Sequence, residues 1–186
     1  EFRRVLFRSL KDIDVVLLGL HGGAGENGTI QCLLDLAGLK YTGSGMRASA
    51  VAMDKAMTKR LVMTIGIPTA EFQLIRLKEG KLEESCLDRI RARFTLPLIV
   101  KPNDGGSTVG LTKLESWDGL AEAIRRGGEE SPEVPLETYI KGRELTVALL
   151  DGEALQVVEY RPTKGLSDYE AKYTNGTSED FSPADI

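Results

Sequence analysis

Cysteine and histidine are scarce in this 186-residue sequence, and long apolar runs are missing altogether. Its two cysteines, Cys32 and Cys86, stand far apart and outside any CxxC or Cys/His spacing. That speaks against a disulfide framework or a structural zinc site and for a reducing, cytoplasmic setting. A single histidine, His21, has no histidine or cysteine partners from which to build a metal site. The longest greasy stretch, residues 15–20, is strand-sized, far below the roughly 18–20 residues that cross a bilayer, so no membrane span is expected. Basic blocks are absent too: 24 Lys and Arg against 28 Asp and Glu leave a charge of -4, which excludes general affinity for nucleic acid. The opening residues 1–9 lack both the apolar run and the small-residue cleavage site of a secretory signal. They match poorly with the pattern of residues 10 onward and are expected to be a foreign leader.

What is present is a globular composition, 41% apolar, with room for one medium domain or two small ones. Residues 15–20, Val-Val-Leu-Leu-Gly-Leu, predict a buried parallel strand. A glycine-rich loop, 21–28, comes after it, and the spacing of Ile30, Leu33, Leu34 and Ala37 predicts a helix over 29–37 capped by Gly38. This is α/β grammar. A short strand at 39–42 and one long helix over 48–65, ended by Gly66 and Pro68, come next. Then come a strand at 72–77, a turn at 79–81, a helix over 83–94 and a strand at 98–102 stopped by Pro102. Beyond it the pattern predicts a strand at 109–114, a helix over 117–126 ended by Gly127-Gly128, and strands at 136–140, 145–150 and 154–160. Asp151-Gly152 makes a tight turn between the last two. The change of style at 66–69 is the best compositional boundary, and residues 174–186 are polar with no visible finish.

Several segments carry chemistry. In Lys101-Pro102-Asn103-Asp104-Gly105-Gly106-Ser107-Thr108, adjacent glycines let backbone N–H groups face an anion, Ser107 adds a donor and Lys101 a counter-charge. It is a phosphate cradle in outline, though not a Walker loop, where the lysine comes after the glycines; a plain turn has the same composition. Gly43-Ser44-Gly45-Met46-Arg47-Ala48 matches GxGxxA by letter, yet no acidic residue ends a strand where a dinucleotide site needs one. His21 lies after a strand, where α/β proteins bind ligands, with Glu26 near enough in sequence to orient it. Glu137 and Glu144 flank a strand-turn-strand whose backbone edge suits a nucleobase, or are solvated carboxylates. The polar segment Asp168-Tyr169-Glu170-Ala171-Lys172-Tyr173 suits a lid, with Lys172 reaching a phosphate on closure, or a surface turn.

Taken together, these segments resemble the D-alanine–D-alanine ligases of the ATP-grasp superfamily. The resemblance rests on His21-Gly22-Gly23-Ala24-Gly25-Glu26-Asn27-Gly28-Thr29-Ile30-Gln31, Tyr41-Thr42-Gly43-Ser44-Gly45, and Ala52-Met53-Asp54-Lys55 with Lys59. It rests equally on residues 98–102 with Gly106-Ser107, on Gly142-Arg143-Glu144-Leu145-Thr146-Val147 and on residues 168–173, all in the family's order. The fold it implies is α/β, α+β in its central part: an incomplete ATP-grasp fold with a partial N-terminal parallel-sheet domain. The implied division is 10–54 as the substrate domain, 55–143 as the central nucleotide-binding subdomain and 144–186 as the start of the catalytic subdomain.

The resemblance implies ATP-dependent joining of two D-alanines through a D-alanyl phosphate, a step in making peptidoglycan precursors. Lys55 and Lys101 would contact the nucleotide phosphates, with Gly106 and Ser107 covering them. Glu137 and the backbone of Thr138 and Ile140 would read adenine, and Glu144 the ribose. Lys172 and Tyr173 would tip an omega loop, lysine toward the transferred phosphate and tyrosine toward Ser107, while His21 and Glu26 would lie near the first D-alanine. Tyr173 favours the dipeptide over a D-lactate product. ATP and Mg²⁺ (or Mn²⁺) are the implied cofactors, with the metal ligands expected beyond residue 186, and the full-length form is expected to be a homodimer. Two alternatives stay open: a related D-alanine–D-lactate or D-serine ligase, and a non-catalytic ATP-binding module. The family's N-terminal glutamate and C-terminal arginine have no counterpart in these residues, and Gly165-Leu166-Ser167 replaces an aromatic-rich run. The 186-residue polypeptide alone is therefore expected not to turn over; an assay of ADP release with D-alanine checks this, and normal turnover would refute it.

Overall fold

The computed structural model describes residues 12–77, 82–162 and 178–186. Three sheets organise them. β1 (Val15–Val16) and β2 (Lys40–Tyr41) pair in parallel, joined by α1 (Gly23–Glu26) and α2 (Thr29–Ala37). After α3 (Met46–Met53) and α4 (Lys55–Thr64) comes an antiparallel sheet in the order β3-β6-β4-β5, built from Phe72–Arg76, Glu133–Thr138, Leu98–Val100 and Thr112–Leu114. α5 (Glu84–Arg93) and α6 (Leu120–Glu130) pack on it. β7 (Glu144–Leu150), β8 (Glu153–Pro162) and β9 (Ser178–Phe181) form the third sheet. Among the described residues no helix is long and apolar enough to cross a membrane.

The main core results from two periodicities. On α6, Leu120, Ala123, Ile124 and Gly127 recur at the spacing of one helix face and are all buried. On the sheet, Leu98 and Val100 of β4 and Val134 and Leu136 of β6 are fully buried against that face. Each such aliphatic side chain contributes about 1.5–3 kcal/mol by leaving water. The residues between them point to the opposite face of the sheet, where Phe72, Glu137 and Ile99 lie side by side across β3, β6 and β4. This second face receives α4.

A charged bridge fastens α4 there. Lys59, on α4, donates to Glu137 Oε2 at 2.7 Å and to Thr69 Oγ1 at 2.8 Å, with its ammonium 5.1 Å from the Phe72 ring centroid. Lys101, just beyond β4, donates to the other Glu137 oxygen. Burial pushes the Glu137 carboxyl up, but the charges and hydrogen bonds of Lys101 and Lys59 outweigh it and hold the group below its ordinary value.

Several expectations are corrected. The strand at 15–20 is neither so long nor buried among the described residues: only Val15 and Val16 pair, and Leu17, past the paired residues, is 82% exposed. The long helix over 48–65 breaks at Asp54, whose extended backbone ends α3 and whose carboxylate accepts the Met57 N–H at 2.8 Å to cap α4. Gly127-Gly128 does not end α6. A Cβ on Gly127 would sit 3.0 Å from Val134, and one on Gly128 would sit 2.2 Å from Leu77, so these glycines let the helix approach its neighbours. β5 starts at Thr112 rather than 109, and β6 starts at Glu133 rather than 136. Pro135 is tolerated because β4 stops beside it: the Lys101 N–H bonds the Pro135 carbonyl at 3.2 Å, and proline has no N–H to return. β9 is polar, Ser-Glu-Asp-Phe, and has no strand signal in its sequence. The turn at 79–81 and the lid segment 168–173 lie outside the described residues.

Ile124→Ala is expected to cost about 2–5 kcal/mol in a urea melt, whereas Leu149→Ala, at a position 72% exposed, changes little; equal losses would contradict this core. Because the Glu137 pKa is depressed by folding, the unfolded chain takes up the proton first as pH falls. The bridge's contribution is then full above the carboxyl's ordinary value of 4.5 and lost as pH drops through the folded value. Denaturant melts of wild type and Glu137→Gln should converge toward acid and diverge toward neutrality; a gap independent of pH would refute the assignment.

Candidate nucleotide and substrate cleft

Strand alternation delivers Lys101 to the α4 face of the sheet, and Pro102 then turns the chain into the glycine loop. The loop is tightly wound: Val109 N–H bonds Gly106 O and Leu111 N–H bonds Thr108 O, each at 3.2 Å. Ser107 and Thr108 adopt left-handed backbone angles, φ 49° and 59°, which side-chain-bearing residues seldom occupy. Gly110, at φ 70°, is obligatory, since a Cβ there would lie 2.8 Å from the Pro102 ring.

Lys55 opens α4 and reaches this loop. Its Nζ donates to Gly105 O at 2.6 Å and to Asn103 O at 3.2 Å. Burial lowers its pKa, and the neighbouring positive charge of Lys101 lowers it further. Lys55 and Lys101, predicted from distant segments, are thus brought together. An ammonium group whose charge is disfavoured by burial and by the neighbouring Lys101, beside a loop of bent backbone and unobstructed at Gly106, makes a place where an anion relieves repulsion. A phosphate-bearing ligand fits that donor set.

In front of Lys55 opens a cleft of about 590 Å³, lined by Leu18, Leu20, Glu26, Ser44, Lys55 and Gly105 among others. The loop after β1 and the glycine loop therefore face a common space. Glu26 borders it, but its carboxylate accepts the Gly22 N–H at 2.6 Å rather than orienting His21, which is exposed. Glu137 lies at the α4 end through its bridge, and Thr138 closes β6 with its N–H bonded to Glu71 O at 3.0 Å. Ile140 is 67% exposed beyond that strand, and Glu144 starts β7. Ser107 sits at the turn of the loop. Lys172 and Tyr173 lie outside the described residues.

Three residues of the site escape sequence reasoning. Lys59 belongs to a motif but has no role assigned by it, although its spacing from Lys55 sets both on one helix face. Asn103, 3% exposed, reads in the sequence only as loop. Gln31, 5% exposed and lining the cleft, donates its Nε2 to Gly25 O at 3.1 Å while its buried Oε1 has no partner. It closes one of the segments that carry the resemblance, but no role is assigned to it there. Among the described residues, no group of three His, Cys, Asp or Glu side chains is placed to hold a metal ion.

Comparison with known proteins identifies the family. The family model "D-ala D-ala ligase C-terminus" matches residues 61–186, and "D-ala D-ala ligase N-terminus" matches residues 4–44. The D-alanine–D-alanine ligase of Gloeobacter violaceus is 46% identical over 174 residues, covering 93% of this chain and 57% of the relative. That of Aquifex aeolicus is 42% identical over 166 residues, covering 89% and 55%. Among solved structures, the Bacillus anthracis D-alanine–D-alanine ligase complexed with ATP superposes with a TM-score of 0.76 at 31% identity, covering 99% of this chain and 57% of that one. The VanG D-Ala:D-Ser ligase of Enterococcus faecalis gives 0.77 at 35%, covering 94% and 51%. The chain spans about half the length of the relatives it matches. By its family models, its relatives and its ATP-grasp architecture, this chain belongs to the D-alanine–D-alanine ligase family.

Proposed function

We propose that this chain carries the nucleotide half, and part of the substrate half, of an ATP-dependent ligase that joins two D-alanines for peptidoglycan precursors. The observation that carries the reading is the meeting of Lys55 and Lys101 at the glycine loop. The ATP complex of the Bacillus anthracis relative supports the nucleotide. The γ-phosphoryl group passes from ATP to the carboxylate of the first D-alanine, leaving ADP. The amine of the second D-alanine then attacks the acyl phosphate, forming the amide and releasing inorganic phosphate. A carboxylate is too poor an electrophile for the direct reaction in water.

In this reading Lys55 and Lys101 offset the charge of the phosphate chain, and the backbone around Gly106 and Ser107 holds its oxygens; most of the catalysis is positioning and electrostatics. Glu137 with the backbone of Thr138 and Ile140 meets adenine, and Glu144 the ribose. His21 and Glu26 border the first D-alanine. Lys172 and Tyr173 close the site and keep water from the acyl phosphate. The working division is 10–54 for substrate, 55–143 for nucleotide and 144–186 for the start of the catalytic part. The full-length protein is a cytoplasmic homodimer in this reading. Mg²⁺ is expected from the family, but the described residues offer it no cluster, so no step is assigned to it.

Lys101→Gln is expected to weaken ATP binding about tenfold or more, as befits loss of a charged hydrogen bond, while Lys40→Gln, at an exposed position on β2, leaves it unchanged. Calorimetric titration of ATP into the purified chain measures both. Equal affinity in the Lys101 variant and wild type would sink the nucleotide reading.

A further inference from the structure

We propose that Asn103 is a positioning residue of the nucleotide site, setting where the Lys55 ammonium meets the phosphate chain. The inference rests on the nucleotide reading above and deepens it. Asn103 is 3% exposed, just past Lys101, and every polar group it has is engaged. Its N–H donates to Glu133 O at 2.9 Å. Its carbonyl accepts both the Lys55 N–H, at 3.1 Å, and the Lys55 ammonium, at 3.2 Å. Its side-chain Oδ1 accepts the Ala56 N–H at 2.9 Å, while Nδ2 donates to Asp54 Oδ1 at 2.9 Å and, more distantly, to Glu133 Oε2 at 3.4 Å.

Asp54, Lys55 and Ala56 are the residues at which α4 begins, and all of them are tied to this one asparagine. The orphan N–H of Ala56 and the capping carboxylate of Asp54 are held by opposite ends of one amide. Only a side chain with an acceptor and a donor side by side does this. Aspartate would turn an oxygen toward the Asp54 and Glu133 carboxylates, and alanine would supply neither group. The start of α4, and with it the base of the Lys55 side chain, is thereby locked to the chain segment that also carries Lys101 and the glycine loop. Among the described residues the Lys55 ammonium donates to carbonyl oxygens, of Asn103 and Gly105, while the carboxylates of Asp104, Glu137 and Asp54 act on it electrostatically. A phosphate supplies the counter-charge those dipoles lack, and the lock fixes the ammonium where the phosphate arrives. Adenosine, having no phosphate, makes no use of the lock.

The test compares binding of ATP and of adenosine to the purified chain as wild type, Asn103→Ala, Lys55→Met and the double variant. Asn103→Ala is expected to weaken ATP about ten- to hundredfold while adenosine affinity stays within about twofold, and in the Lys55→Met background it should add little further loss. Equal weakening of ATP and adenosine would mean a merely structural role and overturn the proposal while leaving the nucleotide reading intact. Full additivity with Lys55→Met would overturn it in the same way. A wild-type chain that binds neither ligand would overturn the nucleotide reading and this inference with it. Should Asn103→Ala fail to fold, Asn103→Ser, which keeps an oxygen able to cap Ala56, carries the same comparison.

Discussion

Two lysine ammonium groups share one buried carboxylate at Glu137, and the geometry of the nucleotide side depends on that sharing. Unpaired, two like charges about 4 Å apart repel by about 4 kcal/mol even at the effective dielectric of a protein surface. Glu137 turns that repulsion into attraction between α4, which carries Lys59, and the end of β4, which carries Lys101. The bridge buries charge at a desolvation cost, so its value lies less in net stability than in a single arrangement of helix and strand. Lys55, left outside the bridge, remains beside Lys101 with carbonyl dipoles for hydrogen-bond partners. Three ammonium groups, of Lys55, Lys59 and Lys101, thus gather around the carboxylate of Glu137, with Asp54 and Asp104 near Lys55.

The pleat of the sheet explains why this cluster and the hydrophobic core never compete. Along β6, Val134 and Leu136 face α5 and α6, while Glu133, Pro135 and Glu137 face the other way. Along β4, Leu98 and Val100 pack in the core, and Ile99 and Lys101 take the alternate face. A one-residue slip in either strand would drive a carboxylate or an ammonium group into the apolar layer. Register is therefore enforced from both sides of the sheet. The same register ends β4 beside Pro135, releasing the chain into the glycine loop at the point where Lys101 is needed.

Much of this is legible in the sequence, and the parts that are not have identifiable causes. The helix over 29–37 with its left-handed Gly38 and the tight turn at Asp151-Gly152, with φ 51° and 84°, rest on local rules that tertiary contacts do not disturb. Lys101 is legible as a counter-charge beside the glycine loop, although a plain turn has the same composition, and Lys55 is legible only through the family resemblance of Ala52-Met53-Asp54-Lys55. The break at Asp54 is not, because its helical spacing continues across it and the cause, Asn103, is remote in sequence. Gly127 and Gly128 mislead for a related reason: glycine signals a helix end from local evidence, but here it answers the proximity of Val134 and Leu77. The roles of Asn103 and Gln31 lack any one-dimensional signature, since a polar residue in a loop or on a helix is ordinary until its burial is seen.

In the proposed reading the two walls of the cleft serve different chemistry, and the hydrogen bonds of the phosphate wall suit its part. On the phosphate wall, Lys59, Asn103 and Glu137 are all nine-tenths buried or more, and their hydrogen bonds cross between elements distant in sequence. Groups fixed in this way need no reorganisation when charge arrives, which is where electrostatic stabilisation of a transferring phosphoryl group is most effective. On the opposite wall, His21 is exposed and Glu26 is engaged by the neighbouring Gly22, while Gln31 of α2 and Ser49 of α3 are buried. In the proposed reading, the wall fixed by these buried hydrogen bonds between distant elements is the one that meets the nucleotide phosphates.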